Sequence, residues 1–316
     1  MTFVQFARSM GLDLDVVKRY GVICRCPTFL KPHKKNGAYL AFGDGGGWVI
    51  AYDGDGELHW YNDPAARPLT DEERAKLAAR RQLLRDEMAH KQRAAAEWAA
   101  RMLTLAKPKE HGYLQLKGFK DTPGLVLPEG ELFIPMRDVR TNELLGAQIV
   151  QWLPEERRWE KKYLYGMRTK GAVMRLGPRQ AAELVLCEGY ATALSIEAAI
   201  KQMRLNAAVL VCFSAHGVQV AAERTTGRRY VIADNDPIQT DPVKAKQHPG
   251  ETGQRAAAAT GLGWAMADTP GWDANDLHQK RGLMAVCAVV MAARRAEPAN
   301  PWAQAMTGAQ ESAAVP

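Results

Sequence analysis

The stretch ELVLCEGYATALSIEAAIKQM (183–203) decides the fold. Its first part, ELVLCEG (183–189), is a short apolar run ending in an acid and a glycine. Its second, ATALSIEAAIKQM (191–203), spaces apolar residues as an amphipathic helix does. Reading onward, AVLVCFSAHG (208–217) is a second buried strand and RRYVIADND (228–236) a third. GETGQRAAAATGL (250–262) is a second helix, and GLGWAMAD (261–268) a further apolar segment. Strand, helix and strand in alternation imply an α/β fold with a parallel sheet and flanking helices. Ligands of such sheets gather at the carboxyl ends of the strands.

Acids stand where those ends are expected. Glu188 closes the first strand, and Asp234 and Asp236 close the third. Asp273 and Asp276 follow the last apolar segment in GWDANDL (271–277). Carboxylates converging at neighbouring strand mouths repel unless protons or divalent cations neutralise them. Hard oxygen donors without a Cys or His trio beside them favour Mg²⁺ or Mn²⁺ over zinc. Alternate residues of an extended chain point the same way, so the Asp-x-Asp pair can reach one ion. Gly189 is expected to permit a tight turn into the helix and a close approach of a substrate phosphate to the backbone.

Around this region the chain of 316 residues divides by composition. Residues 1–66 read as a small strand-rich module, with glycines punctuating GAYLAFGDGGGWVIAYDGDGELHWY (37–61). Gly45-Gly46-Gly47 and Asp53-Gly54-Asp55-Gly56 are expected hairpin turns. Residues 67–107 hold one long connecting helix over 70–106, opened by a Thr70/Glu73 capping box and free of Gly and Pro. Residues 108–181 alternate strands and turns, with LFIPMRDV (132–139) and LLGAQIVQWL (144–153) as a hairpin. Residues 182–295 form the α/β region, 237–249 reads as an inserted loop, and the tail 296–316 is expected to be disordered.

The net charge of +7 is concentrated. Residues 101–181 carry fifteen Lys and Arg against nine Asp and Glu, a balance of +6. Residues 182–285 carry ten against eleven, a balance of −1. A basic half beside a near-neutral half with clustered acids suits an enzyme holding metal and an anionic polymer together. Five cysteines are too few and odd for a disulfide framework and point to a reducing cytoplasm. No apolar run reaches the length of a membrane span, the N-terminus lacks the apolar core of a secretory signal, and no Walker lysine loop is present.

At CEGYATA, IADND and WDANDL the sequence resembles the TOPRIM domain of primases, topoisomerases and certain nucleases. The resemblance implies that Glu188 acts in acid–base catalysis and shares metal binding, and that Asp234 and Asp236 hold Mg²⁺. The third motif is similar to one in phage primases and would add Asp273 and Asp276 as ligands. Gly189 and Ser214 complete the candidate set. At one position the sequence departs from the pattern: many TOPRIM proteins carry an Asp three residues after the motif's glycine, and here Thr192 stands there.

Upstream, HGYLQLKGF (111–119), LFIPMRDVRTNELLGAQI (132–149) and KKYLYGMRTKGAVMRLG (161–177) resemble the basic half of the catalytic core of bacterial, phage and plasmid primases. CPTFLKPHKKNGAY (26–39) looks like the front end of phage and plasmid primase-like proteins. The fold then expected is a TOPRIM-type parallel sheet with flanking helices, preceded by a basic α+β primase-core subdomain and the N-terminal module. The implied activity is that of a DNA primase without a helicase domain, a cytoplasmic nucleotidyltransferase of DNA replication that makes short RNA primers. Its partners would be single-stranded DNA template, ribonucleoside triphosphates and a replicative helicase in trans, with no membrane. Arg137, Lys161, Lys162, Arg168 and Lys170 are the candidate nucleotide- and template-binding residues. Trp152, Trp159 and Tyr163 read either as base-stacking surfaces or as strand-core packing. Cys24, Cys26 and His33 lack zinc-ribbon spacing, so zinc is not expected. A TOPRIM-type nuclease, and a degenerate primase that only binds single-stranded DNA or a replication partner, are the alternatives.

Overall fold

The apolar runs of the α/β region pair as a parallel set. A computed structural model of the protein describes residues 1–43, 45–52, 58–63, 70–240 and 250–296. The expected Asp53–Gly56 turn, most of the 237–249 loop and the tail from 297 lie outside the described residues. The chain divides into two compact units. One holds the described residues of Met1–Ala89 and Ile238–Gly250, the other those of His90–Pro237 and Glu251–Pro316.

The first unit begins with a helix that the glycine-punctuated reading passed over, α1 (Phe3–Ser9). Thr2 and Gln5 form its capping box, each side chain meeting the other's backbone N–H. β1 (Cys24–Cys26), β2 (Gly37–Ala41), β3 (Gly47–Ala51) and β4 (His59–Tyr61) follow as an antiparallel meander. Phe3, Phe6 and Ala7 of α1 pack on Tyr39, Val49 and Tyr61 of that sheet. A Cβ at Gly47 would overlap the Phe3 ring, so this close packing of α1 on the sheet requires glycine there.

α2 (Asp71–Leu105) is the long helix, with the Thr70/Glu73 capping box in place. Its last turns bury Ala95 and Ala99 in the second unit, beside Phe133 and Ala147. Then come β5 (Lys107–Lys109), α3 (Gly112–Leu116) and β6 (Gly124–Val126). β7 (Leu132–Asp138) and β8 (Leu144–Leu153) form the expected hairpin, extended by β9 (Arg158–Tyr163) and followed by β10 (Ala172–Leu176).

The α/β region supplies β11 (Glu183–Cys187), α4 (Tyr190–Gln202), β12 (Ala207–Val211), α5 (Ala215–Arg224) and β13 (Arg228–Ala233). It continues with α6 (Thr252–Ala259), β14 (Gly263–Met266), α7 (Ala274–Arg281) and α8 (Leu283–Arg295). β14, β13, β11 and β12 lie side by side and parallel. Successive residues of each strand face opposite sides: Val185, Cys187, Val209 and Ile232 pack with α4 and α8. Leu186, Leu210 and Val231 pack with α5 and α6. Burial on both faces explains why these strands read as unbroken apolar runs.

The sheet departs from an all-parallel one at its far edge. β12 is flanked by antiparallel β10, and β10 pairs with β7, so all ten strands from β5 to β14 form one mixed sheet. The basic and acidic segments therefore share one sheet rather than sitting on separate ones. Among the described residues no helix is long and apolar enough to cross a membrane.

An ion cluster around the buried Glu183 closes the amino end of the parallel strands. Glu183 accepts two hydrogen bonds of 2.8 Å from Arg294 and meets Arg228 at 3.1 Å. The Arg294 guanidinium holds the Glu183 carboxyl below its ordinary value. Because the folded value is the lower one, this stabilisation is full above the ordinary carboxylate range and is lost as pH falls through it. Glu183→Gln is expected to cost about 2–3 kcal/mol at pH 7, less than the 3–5 kcal/mol for fully buried pairs because both arginines stay partly solvated. Urea unfolding at pH 7 and pH 3 checks this: the difference from wild type should shrink at the lower pH.

Candidate functional site

Glu188 is the first residue beyond β11, and Asp234 the first beyond β13. The parallel register of the two strands brings these ends together. Glu188 is half-buried, and burial followed by the neighbouring Asp236 pushes its carboxyl up. Asp234 is pushed further, to about 7, by burial and then by Asp273, Glu188 and Asp236. Lys161, on β9, is the one cation that opposes both shifts. The buried Oδ1 of Asp234 has no hydrogen-bond partner among the described residues. Four acids from three segments thus crowd together with their charge poorly balanced.

The segment 234–236 is held by residues that sequence reading did not single out. Asn235 is buried; its side chain donates to the Ala267 carbonyl at 2.8 Å, and its backbone bonds to Trp272 and Gly271. Gln254 of α6 donates to the Asn235 Oδ1 and to the Asp236 carbonyl, and accepts from the Asp236 N–H. The Gly253 N–H donates to Asp236 Oδ2 at 2.8 Å. A Cβ on Gly253 would come within 2.6 Å of the Asp234 carbonyl oxygen, so glycine is required for that approach. GETGQ (250–254) was legible as a helix start, but nothing in its spacing marks Gln254 as a clamp on the acidic loop.

Asp273 sits at the N-cap of α7 rather than at a strand end. Its Oδ1 accepts from the N–H groups of Asn275 and Asp276 at 2.7 and 2.8 Å, and its Oδ2 from the Thr192 hydroxyl at 3.1 Å. Thr192, the departure from the motif, therefore meets the third acidic segment. Asp276 reaches back to the Asp273 N–H as the other half of a capping box, which gives it a structural role. Asn275 between them is fully buried and ties α7 to the Lys117 carbonyl and to Ser195.

Gly189 is the N-cap of α4 with φ of −94°, an ordinary value for any residue. Its conformation thus does not demand glycine, contrary to the expectation of a special turn. Ser214 caps α5 by accepting from the Gly217 N–H at 2.9 Å. Phe213, just before it, has φ of +64°, a left-handed conformation that costs a bulky residue free energy. Its N–H donates to the Glu188 carbonyl, and its own carbonyl accepts from the Tyr163 hydroxyl at 2.8 Å. Tyr163 is thereby a brace between β9 and the loop beside Glu188, with its ring still exposed.

The basic candidates separate. Lys161 is the cation that opposes the shifts of Glu188 and Asp234, and its ammonium lies 5.1 Å above the Tyr113 ring. Lys162 lies on the other face of β9 and pairs with Glu160 at 2.6 Å. Arg168 is committed to the buried Asp138 at 2.6 Å, whose other oxygen holds the turn at Arg140 and Thr141. Arg137 donates to the Asn142 carbonyl across the same turn. Lys170 is exposed. In the first unit, burial pushes the Cys26 thiol up to about 11.

Residues 183–283 match the family model of the Toprim domain. The acids and their clamps from Asn235 to Asp276 all fall within this Toprim region. A structural comparison finds a chain in a bacteriophage T7 structure, that of the lagging-strand DNA polymerase interacting with primase domains of two gp4 subunits bound to an RNA/DNA hybrid and dTTP. The identity is 14%, the match covers 53% of this chain and 79% of that one, and the TM-score is 0.34. Comparison with curated proteins gives no match.

Toprim domains bind divalent metals. Among the described residues, no group of three or more His, Cys, Asp or Glu side chains is arranged to hold an ion by itself. Mg²⁺ does not require such a cage, because it keeps several waters and takes one or two carboxylates together with substrate phosphates. The orphaned oxygen of Asp234 and the poorly balanced acids fit that mode of binding.

Asp234→Asn removes a buried charge from among like charges. Without divalent ions at pH 8 it is expected to raise stability by about 1–3 kcal/mol. Mg²⁺ should then raise the melting temperature of the wild type but scarcely that of the variant. Equal Mg²⁺ shifts for both proteins in a thermal melt would remove Asp234 from the ion site.

Proposed function

We propose that the protein is a DNA primase, making short RNA primers on single-stranded DNA by metal-dependent nucleotidyl transfer from ribonucleoside triphosphates. The observation that carries this reading is the mutual charge coupling of Glu188, Asp234, Asp236 and Asp273, opposed by Lys161, at the carboxyl ends of strands whose sheet continues into the basic segment 101–181. The resemblance of segments 111–119, 132–149 and 161–177 to the primase core supports synthesis over cleavage.

In this reading Asp234 and Asp236 hold Mg²⁺ or Mn²⁺, with Glu188 and Asp273 as further donors. The ion, when bound, stabilises charge on the attacking and leaving oxygens of an in-line displacement. Glu188 is the general base for the primer 3′-hydroxyl. Its raised carboxyl value brings it nearer to the working pH, where a base is most effective. Lys161 offsets the excess negative charge and is the residue assigned to the incoming triphosphate. Gln254 and Gly253 fix the Asp236 backbone and side chain, so that the acids need not reorganise on binding. Arg168 and Arg137 act indirectly by shaping the β7–β8 hairpin. A replicative helicase in trans would supply the unwound strand.

The test is incubation with single-stranded template, labelled ribonucleotides and Mg²⁺ or Mn²⁺. Short labelled oligomers are expected, and Glu188→Gln should lower their rate by about 10²–10⁴-fold. Template cleavage without synthesis would point to a Toprim nuclease using the same acids. Oligomers that persist undiminished in both Glu188→Gln and Asp234→Asn would refute the assigned site.

A further inference from the structure

The second unit carries a groove of about 970 Å³ between α3 and the β8–β9 hairpin, near the upper end of the size range of ligand sites. Tyr113 and Lys117 line one side, and Trp152, Arg157, Trp159 and Lys161 the other. No acidic residue lines it. Trp159 is wedged between His111, at 4.9 Å between ring centres, and Tyr113, at 6.0 Å. Trp152 meets Trp159 edge-on at 5.3 Å and is 46% exposed. One tryptophan is thus packed and holds the other in place, while the second keeps its surface open to solvent. An exposed, positionally fixed indole rimmed by cations is not what core packing produces.

The charge around the rings is available. Arg158 is already paired with Glu156 and Glu160. Lys117 and Arg157 form no ion pair among the described residues, and Lys161 contacts the face of Tyr113. Open aromatic surface bordered by unpaired cations is the combination that binds single-stranded nucleic acid, whose bases stack without regard to sequence while the phosphates meet positive charge. A duplex hides its base faces, and an acidic peptide lacks rings to stack. Lys161 lines this groove, and its charge also acts on Glu188 and Asp234, so one cation is common to the groove and the acids.

We propose that this groove is a single-strand binding site, in which a base stacks on Trp152 and the adjoining phosphates lie against Lys117, Arg157 and Lys161. The assignment deepens the proposed function, and rests on it only for what the bound strand is used for. The binding can be measured without catalysis.

The experiment uses the full chain in EDTA with a fluorescently labelled oligothymidylate of about twelve nucleotides, within the site sizes typical of such grooves. Anisotropy titration should show Trp152→Ala binding about 5- to 100-fold more weakly than wild type, with Trp152→Phe recovering most of the loss. Arg157→Ala should flatten the dependence of log affinity on log salt by about 0.7, the loss of one phosphate contact on a single strand. A matching thermal melt confirms that Trp152→Ala is folded. Binding of Trp152→Ala within twofold of wild type would overturn the site. So would equal competition by unlabelled duplex or by polyglutamate. If Trp152-dependent binding is found but no primers are made, the groove stands and the primase reading falls. If primers are made while Trp152→Ala binds as wild type, the reverse holds.

Discussion

The antiparallel ladder between β10 and β12 joins the two halves of the larger unit. Met174, Arg175 and Leu176 pair with Val211, Leu210 and Val209, and this seam continues a parallel α/β sheet into an antiparallel one. β10 then passes the connection on to β7 through Ala172 and Val173. The sheet contacts between acidic and basic segments depend on this register, with the Asn275 bond to the Lys117 carbonyl as a second tie. Without it, Lys161 would have no fixed relation to Glu188, and the Tyr163 hydroxyl would not reach the Phe213 carbonyl. A one-residue slip in such a ladder would turn each side chain to the opposite face of the sheet.

The acids themselves are held against their own repulsion. Burial and like charge both disfavour ionised Asp234. What keeps it in place is a neutral amide frame, with Asn235 fixed to Ala267 and Gln254 clasping the Asp236 backbone. None of these groups carries charge, so they set the geometry without cancelling the field that would draw in a cation. Gly253 completes the frame by letting α6 approach the Asp234 backbone more closely than any side chain would allow. The strained Phe213 lies at the mouth of the neighbouring strand, pinned from both sides.

Much of this could be read in the sequence because it rests on local pattern. Runs such as ELVLC and AAVLV are apolar throughout because both of their faces are covered, and the periodicity of 191–203 is that of α4. The Thr70/Glu73 box marks the start of α2. Glu188, Asp234 and Asp236 could be picked out because strand ends are where an α/β sheet presents ligands. What escaped depends on contacts distant in sequence. Gln254 touches Asp236 across an intervening loop, and Thr192 meets Asp273 from 81 residues away. The pairing of Arg168 with Asp138 spans 30 residues and turns an expected ligand contact into a structural one. Asp276 looks like a metal ligand in sequence and is half of a capping box in the structure. α1 has only seven residues and a short capping signal in a segment otherwise punctuated by glycines, and α5 starts at Ala215 just after an apolar strand, so neither stands out by pattern.

β9 has a consequence of another kind. Among the described residues it pairs with β8 alone, so its outer backbone N–H and C=O groups face no partner strand. An open edge of this sort is a template for joining a second molecule's strand. Arg158, Glu160, Lys161 and Lys162 place a charge at four of its six positions, which discourages such zippering. The charges that could serve a polyanion therefore also keep the molecules apart from one another. Replacing several of them by neutral residues would be felt first as aggregation during refolding at high protein concentration.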